Sequence, residues 1–253
     1  MNGELNILWM YPDILNLHGD RGNLMAFDKV GKMMGLNVNI SKVEHLNDDI
    51  DFENSDILFF NVGEIKVMPA IIDALKKHRA ALEKFVEADK TIILIGAAGA
   101  VMATKTIRNN EEFEGLGFLD MVLTERKKIY GDDIMFKLCE NDMEIIGCQI
   151  KMLDTHLSSD ISLGKLSYGS GNEGYEAGCE GAKYRNVIYT NALGPVFVKN
   201  PWYAELIIKN AMALKGVQIK DSLKKSDFEV EINSFKAVKK FIEQKGEKDV
   251  SGA

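Results

Sequence analysis

The sequence predicts an α/β protein: an open, mainly parallel sheet flanked by helices, followed by an antiparallel extension. Three observations predict it. Over the first 110 residues, short apolar runs alternate with amphipathic stretches of helical period. One run, Thr91–Ile95 (TIILI), is almost uniformly apolar, the mark of a parallel strand covered on both faces. After Asn110 the texture changes to short β-prone segments separated by turn residues, with no helical stretch between them.

Leu5–Met10 (LNILWM) reads as the first strand, followed by a loop from Tyr11 to Asn23. Asn23 is placed to cap a helix running to about Met34, which Gly35 ends. Asn37–Val43 alternates polar and apolar residues as a second strand, and Asp56–Asn61 (DILFFN) is a third. Met68 and Pro69 open a long helix to about Ala88, with Pro69 in the first turn. Its stripe of Ile71, Leu75, Leu82, Phe85 and Val86 follows helical spacing. The strand Thr91–Ile95 then runs into Gly96-Ala97-Ala98-Gly99 and a helix-forming run, Ala100–Ala103. A strand that turns sharply into a helix through small residues is the backbone of a nucleophile elbow. Its apex here is Gly96, which has no side chain. Right-handed crossovers bring the loops at 11–22, 61–67 and 96–99 together at the carboxyl ends of the strands, where such sheets bind ligands.

Beyond the turn-rich Glu114–Asp120, short strands are expected at Thr124–Ile129, Ile134–Leu138, Glu144–Ile150, Gly164–Tyr168 and Val187–Thr190. Pro201 opens another helix to about Lys215. Phe235, Val238, Phe241 and Ile242 then form one face of an amphipathic helix before a frayed end. This divides the chain into a main domain, 1–220, and a C-terminal helix with tail, 221–253.

Composition narrows the function. With 46% hydrophobic and 27% charged residues, the chain has the make-up of an ordinary globular protein. A net charge of −7 with scattered basic residues argues against nucleic acid as main partner. No apolar run approaches the roughly 20 residues of a membrane span, and the start, MNGELNILWMYPD, shows no basic-then-apolar leader. Cys139, Cys148 and Cys179 are odd in number and form no C-x-x-C, as expected of reduced, buried cytoplasmic thiols. Asp154 and His156 lack a third ligand and read as a surface pair, so no metal is expected, nor any cofactor.

The segments YPDILNLHGDRGN (11–23), EGLGFLD (114–120), YGSGN (168–172), EGAKYRN (180–186) and GPVFVKNP (194–201), taken in this order, carry a resemblance. The chain resembles the class I glutamine amidotransferases of the cobyric-acid-synthase type over roughly residues 5–220. Within them it is most similar to the glutaminase subunits of lipid II isoglutaminyl synthase, of peptidoglycan biosynthesis, which work with a Mur-ligase-like partner. The resemblance implies a flavodoxin-like fold and a cysteine–histidine site that hydrolyses glutamine. Residue by residue, however, the family's C-G-G-Y-Q elbow falls on Gly96–Ala100, and its histidine, just before a Gly-Pro pair, falls on Leu193. Its glycine-rich oxyanion loop falls on Asn61-Val62-Gly63-Glu64-Ile65, where only Gly63 keeps the pattern. A family arginine falls on Lys128, and a Phe-Glu-Asn-His segment falls on Cys148-Gln149-Ile150-Lys151. The chemistry needs a thiolate, a base within reach and donors at the developing charge. Nucleophile and base are absent at these positions.

The residues left to bind anything are Asn61, Gly63, Ala97, Lys128, Asp20 and Arg21. Loop 18–23 is either a ligand loop or a self-contained turn in which Asp20 pairs with Arg21 and Asn23 caps the helix, the latter favoured. Gly96 and Gly99 either offer backbone amides to an anion or simply allow close packing, again the latter favoured. Glu64 and Lys66 read as solvated loop charges. The functional expectation is a catalytically degenerate amidotransferase-like subunit or scaffold beside a Mur-ligase-like enzyme. The alternatives are an active glutaminase subunit, and small-molecule or anion binding at an open elbow.

Overall fold

The computed structural model describes residues 3–175, 178–219 and 223–251. Glu176 of the acidic loop, the expected domain boundary at 220–221 and the last two residues of the tail lie outside them. In chain order the strands of the first half are β1 (Glu4–Met10), β2 (Asn37–Val43), β3 (Ile57–Phe60) and β4 (Thr91–Ile95). Between them lie helices α1 (Gly22–Met33), α2 (Met68–Lys76) and α3 (Arg79–Glu87). Then come β5 (Ala103–Arg108), β6 (Glu111–Glu114), β7 (Leu119–Leu138), β8 (Glu144–Leu157) and β9 (Gly164–Tyr168). The short β10 (Ser170–Gly171), β11 (Gly174–Tyr175), β12 (Cys179–Glu180) and β13 (Ala182–Tyr184) follow, and then β14 (Val187–Thr190). Helices α4 (Val196–Lys199), α5 (Pro201–Leu214) and α6 (Glu229–Ser251) complete the described chain. Among the described residues no helix is long and apolar enough to cross a membrane.

The first sheet has the order β13-β14-β4-β3-β1-β2 and is parallel apart from β13. All five residues of β4 are buried, as its unbroken apolar run requires of an interior strand. Alternate residues of each strand feed opposite faces. Leu58, Phe60, Ile92 and Leu94 join a core with α2 and α3, while Ile57, Phe59, Ile93 and Ile95 join another with α1 and α5. Pro69 and Pro201 stand in the first turns of α2 and α5. Gly35, at φ +75°, follows the end of α1.

The second sheet runs β12-β9-β7-β5-β6, with β8 paired to β7. Its organiser is β7, a single strand where the sequence suggests two. The charged run Arg126–Lys128 that interrupts the pattern is a bulge: from Glu125 to Tyr130 β7 advances five residues while β8 advances two. Three extra residues invert the alternation of β7, because side chains change face at every residue. Leu119, Met121 and Leu123 are buried before the bulge, and Ile134, Phe136 and Leu138 after it. Along β8 the buried positions stay in one phase, from Ile145 to Thr155. The two halves of β7 enter different cores, so the second sheet is packed into both layers of the first.

Several local expectations are corrected. The helix expected after the elbow is a six-residue 3-10 turn, Gly96–Val101, and the β-branched Thr104, Thr106 and Ile107 then pull the chain into β5. The helix expected over 68–88 breaks at residues 77–78 into α2 and α3. Asn23 does not cap α1; it is buried, and its Oδ1 accepts the Phe197 amide at 3.0 Å. The C-terminal helix covers its own chain. Phe235, Val238 and Ile242 pack on Met135, Ile146 and Tyr168, and Lys239 reaches both Glu144 oxygens at 2.8 Å.

Candidate functional site

At the carboxyl end of β4, Gly96 adopts φ +57°, the left-handed conformation that an elbow apex needs. A Cβ built there would meet Val62 Cγ2 at 2.9 Å and Leu193 Cδ2 at 3.7 Å. The residues aligned with an oxyanion loop and with a catalytic base do therefore face the apex. Both are apolar, and they are 4% and 2% exposed. Residues Gly96 to Val101 are all buried as well. The elbow is closed, not open: it carries no nucleophilic atom and an aliphatic plug fills its mouth. Glycine at 99 serves close packing, since a Cβ there would lie 2.4 Å from the Tyr189 ring. A 3-10 turn this short and this buried presents no helix terminus to an anion.

The loops around the apex are tied to one another. The Leu17 amide donates to the Val62 carbonyl at 3.1 Å. Asn61 is fully buried; its side-chain nitrogen donates to the Asp20 carbonyl at 3.1 Å, and its oxygen accepts from Trp9 Nε1 at 3.2 Å. Gly63 is required by crowding, because a Cβ would lie 2.4 Å from Leu15 Cδ2. Leu193 is paired with Cys148 of β8 in an isolated antiparallel bridge, with N–H to O distances of 2.8 and 3.2 Å.

Asp20 does not pair with Arg21. It is fully buried, among the described residues neither carboxylate oxygen has a hydrogen-bond partner of normal geometry, and Arg21 is exposed. Burial pushes its carboxyl up to about 6, against the smaller opposing pull of the nearby Gly194 amide. Lys128 stands exposed in the β7 bulge, where its carbonyl accepts Arg126 Nε at 3.3 Å. Of the binding residues expected from the sequence, Asn61, Gly63, Ala97 and Asp20 thus lie buried in or around the elbow region, while Arg21 and Lys128 are on the surface.

A second buried cluster was not legible in the sequence. Lys151, with a fully buried side chain, donates to the Gly171 carbonyl and to the Asn172 carbonyl at 3.0 Å, and lies 3.0 Å from Asp154. Burial lowers its pKa, opposed by Asp154. Beside it, buried Glu180 accepts from Thr190 Oγ1 at 2.9 Å and the Asn191 amide at 2.6 Å; its pKa is raised by burial. Asn172 exchanges two hydrogen bonds with Gly181, at 2.8 and 2.7 Å. The inward positions of β8 mix Ile145, Gly147, Gln149, Leu153 and Thr155 with Lys151, so alternation along the strand does not single the lysine out.

Asp154 and His156 do not pair with each other: Asp154 binds Arg126 and Lys151, and His156 binds Glu173 at 2.5 Å. Among the described residues no cluster of three metal-ligating side chains exists. The cysteines are free, but Cys139 is exposed and the other two are only partly buried, which corrects the expectation of three buried thiols. Glu64 and Lys66 form an exposed ion pair.

Comparison with known proteins gives no matching family model. Over 215 residues the chain is 27% identical to "Lipid II isoglutaminyl synthase (glutamine-hydrolyzing) subunit GatD" of Streptococcus pneumoniae, covering 84% of this chain and 82% of that one. It is 27% identical over 234 residues to the GatD subunit of Staphylococcus aureus, covering 91% and 93% respectively. The fold is that of a solved glutamine amidotransferase, with a TM-score of 0.55 at 14% identity over 83% of this chain and 99% of that one.

Proposed function

We propose that this chain, a class I glutamine amidotransferase-like protein homologous to GatD subunits, acts as a non-catalytic subunit of an amide-forming assembly with a Mur-ligase-like partner. One observation carries the reading: the apex of the elbow is a glycine whose side-chain direction is crowded by Val62 and faces the aliphatic Leu193. Attack on a carboxamide needs a nucleophilic atom and a proton acceptor, and backbone supplies neither. The subunit role rests on the names of the relatives, both subunits of a glutamine-hydrolysing enzyme. The exposed residues of loop 11–23, Asp13, Asn16, His18 and Arg21, and Glu173 of the acidic loop 172–181 are the surfaces offered for docking. The inner face of α6 is already occupied by its own chain.

The same names favour a second reading, an active glutaminase subunit that uses residues away from the elbow. Two measurements separate the readings. The purified chain and its co-expressed complex with the Mur-ligase-like protein of the same organism are each incubated with glutamine, and ammonia is measured. No release above a buffer control, with co-elution in size-exclusion chromatography, is the expected result. Ammonia release by either sample overturns the non-catalytic reading, and separate elution at micromolar concentration overturns the subunit reading.

A further inference from the structure

Buried carboxylates are stable when paired or hydrogen-bonded, and among the described residues Asp20 has no ion pair and no donor beyond the approaching Gly194 amide. It sits where three segments meet. Its own loop ends at α1, its backbone carbonyl holds Asn61 at the end of β3, and the Gly194 amide approaches from the segment that carries Leu193. We propose that Asp20 is a pH-sensitive latch: uncharged, it lets loop 11–23 close against segment 191–195 over the elbow, and ionised, it loosens both.

The groups around it give no counter-charge. From its own loop, His18 and Arg21 are exposed. From β8 comes the Cys148 thiol, kept neutral by burial, on which the Lys199 ammonium of α4 and the Asp133 carboxylate of β7 act in opposite senses. The β3 end contributes only Asn61. From α4, Lys199 passes Gly194 but makes no ion pair with Asp20. An ionised Asp20 therefore gains a partner only if the loops shift, letting in water or the Lys199 ammonium. The closed form holds the carboxyl at about 6, whereas a solvated aspartate titrates near 3.9. Closure thus binds a proton that opening releases, and opening gains as pH rises through that interval.

The inference goes beyond the proposed subunit role, and its test needs neither partner nor substrate. The Asp20 carboxyl is titrated by carbon NMR, and amide exchange of Leu17 and Leu193 is followed at pH 5 and pH 7.5. The carboxyl should titrate near 6. Protection of both amides, corrected for intrinsic exchange, should fall about tenfold between the two pH values. In Asp20→Asn protection should be the same at both. Titration of the wild-type carboxyl below about 4.5 overturns the latch, as does wild-type protection that does not change with pH. A pH dependence that persists in a folded Asp20→Asn variant assigns it to another group, and also overturns the latch.

Discussion

Two buried regions lie side by side at the carboxyl end of the first sheet, and they are built from opposite materials. Around Gly96 the interior is aliphatic: Val62 and Leu193 close on a residue without a side chain. Around Lys151 it is ionic and amide-rich, with an ammonium, a carboxylate and the Asn172 amide locked into backbone partners. The apex itself carries no polar side chain, whereas the polar groups around Lys151 are many and most are satisfied. Around Lys151, buried polarity joins segments.

The largest test of that contrast is at Lys151. Lys151→Ala strips the Gly171 and Asn172 carbonyls of their donor and leaves Asp154 with Arg126 alone. Removing one partner from a buried ionic cluster costs about 3–5 kcal/mol, read as a drop in the urea midpoint. A loss below about 1 kcal/mol would mean the cluster holds nothing, and the contrast would fail.

Asp20 is the exception, polar and buried yet unpartnered, so its removal should act in the opposite direction. A carboxyl held at about 6 when folded and near 3.9 when unfolded binds more protons in the folded state between those values. Its stability cost is therefore absent at pH 3, grows as pH rises, and is complete above about 6.5. Asp20→Asn should stabilise the protein at pH 7.5 by about 1–3 kcal/mol and leave it nearly unchanged at pH 4. Calorimetry at the two pH values decides.

The smallest effect is expected at the elbow. Gly96→Cys places a Cβ at positive φ against Val62 and should lower stability by about 1–2 kcal/mol. It should release no ammonia from glutamine, because Leu193 supplies no base. Turnover by this single substitution would show that the aliphatic plug is no barrier.

The contrast was half legible in the sequence. The apolar run of β4 and the prolines that open α2 and α5 are local signals, and the fold kept them. Gly96 and Leu193 were placed by the order of short motifs, and their mutual approach follows from parallel strands ending together. What failed depended on contacts distant in sequence. Asp20 and Arg21 look like neighbours that should pair, but the fold buries one and exposes the other. Arg126–Lys128 look like the end of a strand because charge interrupts the pattern, whereas an odd-length bulge merely changes its phase. The Lys151 cluster assembles residues from four segments, and no stretch of sequence contains it.

The bridge between Cys148 and Leu193 has a mechanical consequence. Leu193 follows β14 of the first sheet in chain order, yet its backbone is clasped by Cys148 of β8. On the same strand Lys151 and Leu153 flank the bulge of β7 that exposes Ile129. The side chain that closes the elbow is therefore held by the second sheet as well as by the first.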